Sequence, residues 1–307
     1  MNRTLSSFLL ALLLLGVGAH AALASEPALP PLPPLNDPAT DTHLPGKFIW
    51  ADIFTSDVSG ARRFYSELFG WEWRWISKHP DHLYGIFYMD GIAVAGVAHR
   101  EAPDRDKAYA RWVYYVSTGN VAEAVLGTAD RGGRTLLSRQ SAAHRGDFAV
   151  LADPEGAPFG VMHSSSGDPP DFRAEIGQWL WIGLVARDAA KASKFYGSLF
   201  SYDVREADER RDVLEFVLEA SGHARAGIGE LSPESESKPT WLGFVRVEDL
   251  GATLEKARAA GGEILWAPQN DGSEGDLAII ADPFGAPVGL MKWTFEEEDE
   301  AEEEPQP

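Results

Sequence analysis

The sequence predicts an α+β fold made of four βαβββ units in two tandem domains, and three observations carry that reading. The stretch ADPEGAPFGVM at Ala152–Met162 returns as ADPFGAPVGLM at Ala281–Met291, an offset of 129 residues. The flanks repeat in the same order: Phe64, Tyr65, Leu68 and Phe69 return as Phe195, Tyr196, Leu199 and Phe200, and Trp50 and Asp57 as Trp181 and Asp188, all at an offset of 131. Trp112 and Gly132-Gly133 return as Trp241 and Gly261-Gly262 at 129. Finally, each copy runs twice through the same succession of strand and helix patterns. A period this long exceeds that of solenoid repeats, so each copy is read as a domain with its own core.

Taken in order, residues 1–24 read as a secretory signal: Arg3, an apolar run from Phe8 to Val17, and the small-residue site Ala22-Leu23-Ala24. The run is short for a membrane span, so no membrane insertion is expected after cleavage, and export to a periplasm or to the medium is. Residues 25–45 hold Pro27, Pro30, Pro31, Pro33, Pro34 and Pro38 and read as an extended, Pro-rich linker. Domain 1 is assigned to 46–165. Lys47–Thr55 is β-branched and aromatic, a strand. Asp57 then caps a helix over Val58–Phe69, whose apolar residues step by three and four and which Gly70 stops. Strands follow at Trp71–Ile76, Leu83–Met89 and Ile92–Ala98. A second unit begins with a strand at Arg111–Val116 and a helix at Val121–Arg131, with strands near Thr135, Phe148 and Phe159.

The stretch 164–175, rich in Ser, Gly, Pro and Asp, separates the halves. Domain 2, over 176–293, repeats the scheme: strand Trp179–Ala186, helix Ala189–Phe200, strands near Val204, Val213 and Ala226, then strand Trp241–Val247, helix Leu250–Ala260 and strands near Ile264, Ala278 and Val288. Residues 294–307 form an acidic tail, read as disordered and solubilising, with cation or partner binding as the alternative.

Composition narrows the function. The chain of 307 residues is 44% hydrophobic and 11% aromatic, enough for two cores. Its net charge is −20, and eight of the nine residues from Glu296 to Glu304 are acidic. An acidic surface without a Lys/Arg cluster repels phosphate, so nucleic acid is not an expected partner. The absence of cysteine rules out disulfides, thiol catalysis and thiolate metal sites. No HExxH, GxSxG or P-loop pattern occurs.

Four units in this order, with FYxxLF closing the first helix and DPxGxP turning into the last strand of each half, resemble the vicinal oxygen chelate superfamily, which includes glyoxalase I, bleomycin-resistance proteins, fosfomycin-resistance enzymes and extradiol dioxygenases. The resemblance spans Lys47 to Trp293. It implies two glyoxalase/bleomycin-resistance-like domains whose mixed sheets curve into cups. It also implies a divalent metal held by His, Gln or Glu on the first and last strands of each unit. Here those positions fall on Trp50 and Trp181, the strand around Ala95 and Ala226, Val113 and Leu242, and Gly160 and Gly289, none of which can ligate a metal. The expectation is therefore a protein without the family metal, with a divalent ion at a displaced site as the runner-up.

Strand alternation places Trp50, Asp52 and Phe54 on one cup face, joined by Val113, Tyr115, Gly160 and Met162. Trp181, Gly183 and Val185 join Leu242, Phe244, Arg246, Gly289 and Met291 in the second cup. Such linings suit a small organic ligand held by burial and stacking and oriented by a carboxylate or guanidinium. Trp50 and Trp181 read either as core filler or as stacking platforms, and Asp52 either as a satisfied carboxylate or as a general base. The cluster His79-Pro80-Asp81-His82 reads as a turn rather than a ligand set. A binding module and a glyoxalase- or dioxygenase-type enzyme both remain open. The export signal weighs against glyoxalase itself, whose thiol cosubstrate is expected inside cells.

Overall fold

The computed structural model describes residues 31–295 apart from 103, 105–106, 208–213 and 269–275. Residues 1–24, read as a signal, and 296–307 of the acidic tail lie outside the described residues, as does Val213. In the first half β1 (Phe48–Thr55), α1 (Val58–Phe69), β2 (Glu72–Ser77), β3 (Tyr84–Met89) and β4 (Ile92–His99) form one unit. The next unit comprises β5 (Ala110–Ser117), α2 (Val121–Asp130), β6 (Arg134–Ala142), β7 (Gly146–Ala152) and β8 (Pro158–Ser164). The second half repeats them as β9 (Trp179–Ala186), α3 (Ala189–Phe200), β10 (Asp203–Glu206), β11 (Phe216–Ala220) and β12 (His223–Glu230). It closes with β13 (Thr240–Val247), α4 (Leu250–Ala259), β14 (Glu263–Trp266), β15 (Leu277–Ala281) and β16 (Pro287–Lys292).

The helices start where side-chain oxygens meet orphan backbone donors. Asp57 accepts from Gly60 N, Asn120 from Ala122 and Glu123 N, Asp188 from Lys191 N, and Asp249 from Ala252 N. The α1 helix ends at Gly70 in the left-handed region, φ 76°, a conformation that glycine adopts without a Cβ clash. His79-Pro80-Asp81-His82 is a turn, as its composition implies, with Pro80–His82 in a short 3₁₀ helix.

Each half forms one eight-stranded sheet, in the orders β2-β3-β4-β1-β5-β8-β7-β6 and β10-β11-β12-β9-β13-β16-β15-β14. The two units of a half therefore pair with each other, through antiparallel β1–β5 and β9–β13. Alternate residues divide between the faces. Ala51, Ile53, Trp112 and Tyr114 join the helices, whereas Trp50, Val113 and Tyr115 lie on the opposite face. The helix-bearing faces of both sheets merge into one apolar core that includes Phe64, Tyr65, Trp71, Trp112, Phe195, Tyr196 and Trp241. The α1 helix packs against α4 and α2 against α3, while β5 meets β13. The two sheets thus stand back to back, and their cups face outward on opposite sides.

Residues 31–45 depart from a spacer held clear of the fold. Leu32 is buried in the apolar cluster of the first cup, with Leu35 beside it. Leu35 and Asn36 donate their backbone N–H groups to Ser166 Oγ at 3.0 and 3.1 Å, and Thr40 N donates to Ser166 O at 3.0 Å. Composition suggested an unpacked segment because prolines withhold backbone donors. The intervening leucines and Asn36 supply the contacts instead, and this strap lies across the first cup.

Candidate functional site

The first cup is floored by β1 and β5, whose register sets Trp50 opposite Tyr115 and Asp52 opposite Val113. Asp52, 8% exposed, is the focus of its polar groups. Its Oδ1 accepts from Trp50 Nε1 at 2.9 Å and from the Tyr84 hydroxyl at 2.7 Å. Both donors fit because Gly96 faces the cup opposite Asp52: a Cβ there would strike Asp52 Oδ1 and the Tyr84 hydroxyl. Burial pushes the Asp52 carboxyl above the usual carboxylate range, against the hydrogen bonds from Tyr84 and Trp50 and the charge of Arg145. Burial likewise raises the Tyr84 and Tyr115 hydroxyls well above an ordinary phenol, with the Asp52 charge adding to the effect. Both tyrosines are therefore hydrogen-bond donors at neutral pH.

Arg145, from the turn between β6 and β7, completes the cluster. Its guanidinium lies 4.1 Å over the Trp50 ring, Nε donates to Pro33 O at 2.8 Å, and the side chain is 1% exposed. Among the described residues, neither terminal nitrogen has a hydrogen-bond acceptor. The Tyr115 hydroxyl also faces Asp52 and, like Tyr84 and Trp50, favours its ionised form. Phe148, Val150 and Met162 form apolar walls, with Phe54 partly exposed beside them.

The second cup is different in kind. Phe244 faces Trp181 across the β13–β9 pair, beside buried Leu242 and partly exposed Met291. The position of Asp52 is taken by Gly183, and Leu214 and Trp181 fill the space at Gly227 that Asp52 and Tyr84 fill at Gly96. The first cup is thus polar at its floor, the second apolar.

Of the residues expected from sequence, Trp50, Asp52, Tyr115 and Met162 converge in the first cup and Phe54 stands at its edge. Trp181, Phe244 and Met291 gather in the second. Arg246 needs correcting as a ligand-orienting group. Its Nε donates to Trp293 O at 3.0 Å and its Nη1 to Ala174 O at 2.8 Å, so this guanidinium fastens the interdomain stretch and the last residues to β13. Ala95 and Ala226 also shift: both lie in the shared core, and Gly96 and Gly227 face the cups. A β-bulge beside each alters the count along the strand. Tyr84 and Arg145 were missed. Tyr84 sits in an apolar run and Arg145 in a turn, and no local pattern aims either at Asp52.

The metal that the fold implies does not fit these residues. In each half the ring of a central-strand aromatic occupies the space a side chain would need at the last ligand position: Tyr115 over Gly160, and Phe244 over Gly289. Among the described residues no three His, Asp or Glu side chains gather as a metal-binding group. Trp50 Nε1 is committed to Asp52. An open recess between α2 and α3 lies on the helix side, and Arg131 there is occupied by Gly127 O, Ser198 Oγ and Ser198 O.

Known proteins agree with this architecture. Residues 178–290 match the glyoxalase/bleomycin resistance protein/dioxygenase superfamily, and residues 49–162 match a glyoxalase-like domain. The chain belongs to this superfamily. The protein named as glyoxylase CFP32 of Mycobacterium tuberculosis (strain CDC 1551 / Oshkosh) is 27% identical over 248 residues, covering 79% of this chain and 93% of its own. The anthracycline biosynthesis protein DauV of Streptomyces sp. (strain C5) is 28% identical over 259 residues, covering 81% and 94%. Two solved structures share the superfamily fold. The Mn(II)-bound glyoxalase from Novosphingobium aromaticivorans has a TM-score of 0.53 at 15% identity, covering 81% of this chain and 82% of its own. An extradiol ring-cleaving dioxygenase from B. fuscum has a TM-score of 0.54 at 14% identity, covering 84% and 75%.

Proposed function

We propose that this is an exported superfamily member that binds a small hydrophobic or aromatic molecule in its cups without a metal ion at the superfamily's usual positions. The observation that carries the reading is the replacement, in both halves, of the last ligand position by a glycine with an aromatic ring packed over it. Those rings make the lining aromatic where the superfamily's metal ligands would stand. The apolar run before Ala22-Leu23-Ala24 supports export. Relatives named for glyoxylase activity and for anthracycline biosynthesis keep both enzymatic and aromatic-ligand roles within reach. The test is purified mature protein incubated with Zn, Ni, Mn and Fe, desalted and assayed for metal, then titrated calorimetrically with aromatic ligands. Saturable ligand binding without bound metal is expected; one metal ion per cup would sink the proposal.

A second reading has its own observation. Asp52 is a buried carboxyl with a raised pKa, flanked by tyrosine donors, which suits proton transfer at a bound molecule. In that role the protein is a glyoxalase- or dioxygenase-like lyase or oxidoreductase, with Asp52 moving the proton or with a divalent ion at a displaced site. Turnover that disappears in Asp52→Asn while fold and ligand affinity persist is the result this reading requires.

A further inference from the structure

We propose that the first cup contains an anion site built on the two terminal nitrogens of Arg145, and that its ligand is a planar aromatic carboxylate. The inference rests on the reading of the first cup as a small-molecule site and names the chemistry of its occupant.

Arginine stays charged at any pH the fold survives, so burying its guanidinium without acceptors is costly. Here the side chain is 1% exposed, and among the described residues neither terminal nitrogen has an acceptor. Asp52 does not discharge them. It shares the cup, but no hydrogen bond joins the two, and its Oδ1 is taken by Trp50 and Tyr84. The Arg145 side chain is nonetheless held from two sides. Trp50 supports the face of the guanidinium at 4.1 Å, and Pro33 O holds Nε at 2.8 Å, which leaves the fork of Nη1 and Nη2 free. A fork of parallel N–H donors matches the two oxygens of a carboxylate.

The walls decide the rest of the ligand. Val113, Phe148, Val150 and Met162 present only apolar or aromatic surface, which favours a flat ring over a sugar or a peptide. Asp52 nearby disfavours a doubly charged group, so a carboxylate suits the site better than a phosphate. The second cup, with Gly183 in place of Asp52 and Leu214 opposite Gly227, has no described counterpart of this polar floor.

The experiment titrates the mature, full-length protein by calorimetry with 2-naphthoate and with its neutral counterpart 2-naphthalenemethanol. We expect naphthoate to bind at least about tenfold more tightly, the preference to vanish in Arg145→Gln and to shrink in Arg145→Lys, which keeps the charge but not the fork. Equal affinity of the two probes, or a preference that survives Arg145→Gln, overturns the anion site and leaves the aromatic cup standing. Failure of both probes to bind overturns the two together. If Arg145→Gln does not fold, a structure of the wild-type protein with 2-naphthoate decides: a carboxylate on Arg145 supports the site, and a carboxylate elsewhere or absent overturns it.

Discussion

The hydroxyl of Tyr65 donates to Oδ2 of Asp282 at 3.2 Å, across the two halves of the molecule. Tyr196 makes the reciprocal bond to Oδ2 of Asp153 at 3.0 Å. The two duplicated motifs thus recognise each other in trans: the FY pair of each half reads the DP turn of the other. Each tyrosine also accepts from a buried tryptophan, Trp112 Nε1 at 2.9 Å or Trp241 Nε1 at 3.0 Å. Each aspartate holds its own turn, Asp153 through Glu155 and Ala157 N and Asp282 through Phe284 and Ala286 N. Even the Glu155/Phe284 position, one of three that differ between the copies, keeps to this arrangement. Glu155 accepts from the backbone N–H groups of Arg187 and Asp188 at the start of α3, while a Cβ on Gly60 in α1 would strike the Phe284 ring.

Tyr65→Phe should therefore destabilise the protein by about 1–3 kcal/mol, because it takes the Tyr65 hydroxyl from Asp282 Oδ2 and from the Trp112 indole N–H. Tyr196→Phe should do the same to Asp153 and Trp241. The two pairs share no member, so the double variant should lose roughly the sum. Chemical denaturation measures this, and a neutral Tyr65→Phe would refute the interlock as a source of stability.

Stability should also depend on pH through Asp52. Burial raises its native pKa above the carboxylate value near ~3.9 expected in the unfolded chain. Between those two values the native carboxyl keeps a proton that the unfolded one has lost, so its contribution to stability is full below ~3.9 and declines as pH rises through the native pKa. Asp52→Asn removes this decline and no other. The melting temperature of the variant minus that of wild type should thus become more positive from pH 4 to pH 7. A flat difference would show that Asp52 does not titrate in that range.

Gly160 and Gly289 give a steric test. An alanine at either position places its Cβ in the ring of Tyr115 or Phe244 and should cost about 1–3 kcal/mol. Shrinking the ring in the same chain, as in Gly160→Ala with Tyr115→Leu, should recover part of that loss. Gly160→Glu, which restores the superfamily's acidic ligand type, should take up no stoichiometric manganese or zinc, since Trp50 and Val113 remain. Metal analysis after desalting would show otherwise.

The strap over the first cup predicts a kinetic effect. Leu32 is buried against the cup lining and Pro33 O holds Arg145 Nε. Removing residues 25–35 should accelerate association of an aromatic ligand in stopped-flow measurements, with little change to the core, which the helix-bearing faces form without this segment. An unchanged association rate would mean that the strap does not cover the entrance.

Much of this molecule was legible in the chain itself, because the signals are local. The order of strands and helices, the caps Asp57 and Asp188, and the alternation that puts Trp50 and Asp52 on one face each follow from neighbours a few residues apart, and the repeat follows from setting one half of the chain beside the other. Tertiary structure alone decided that the units of each half pair with one another, and that Tyr84 and Arg145 meet Asp52. It also decided that the strap closes over them and that Arg246 is spent on Trp293 and Ala174. The reason is physical: periodicity determines which face a side chain takes, but which distant side chain it meets depends on strand register. One bulge, as beside Ala95, is enough to exchange a core position for a cup position.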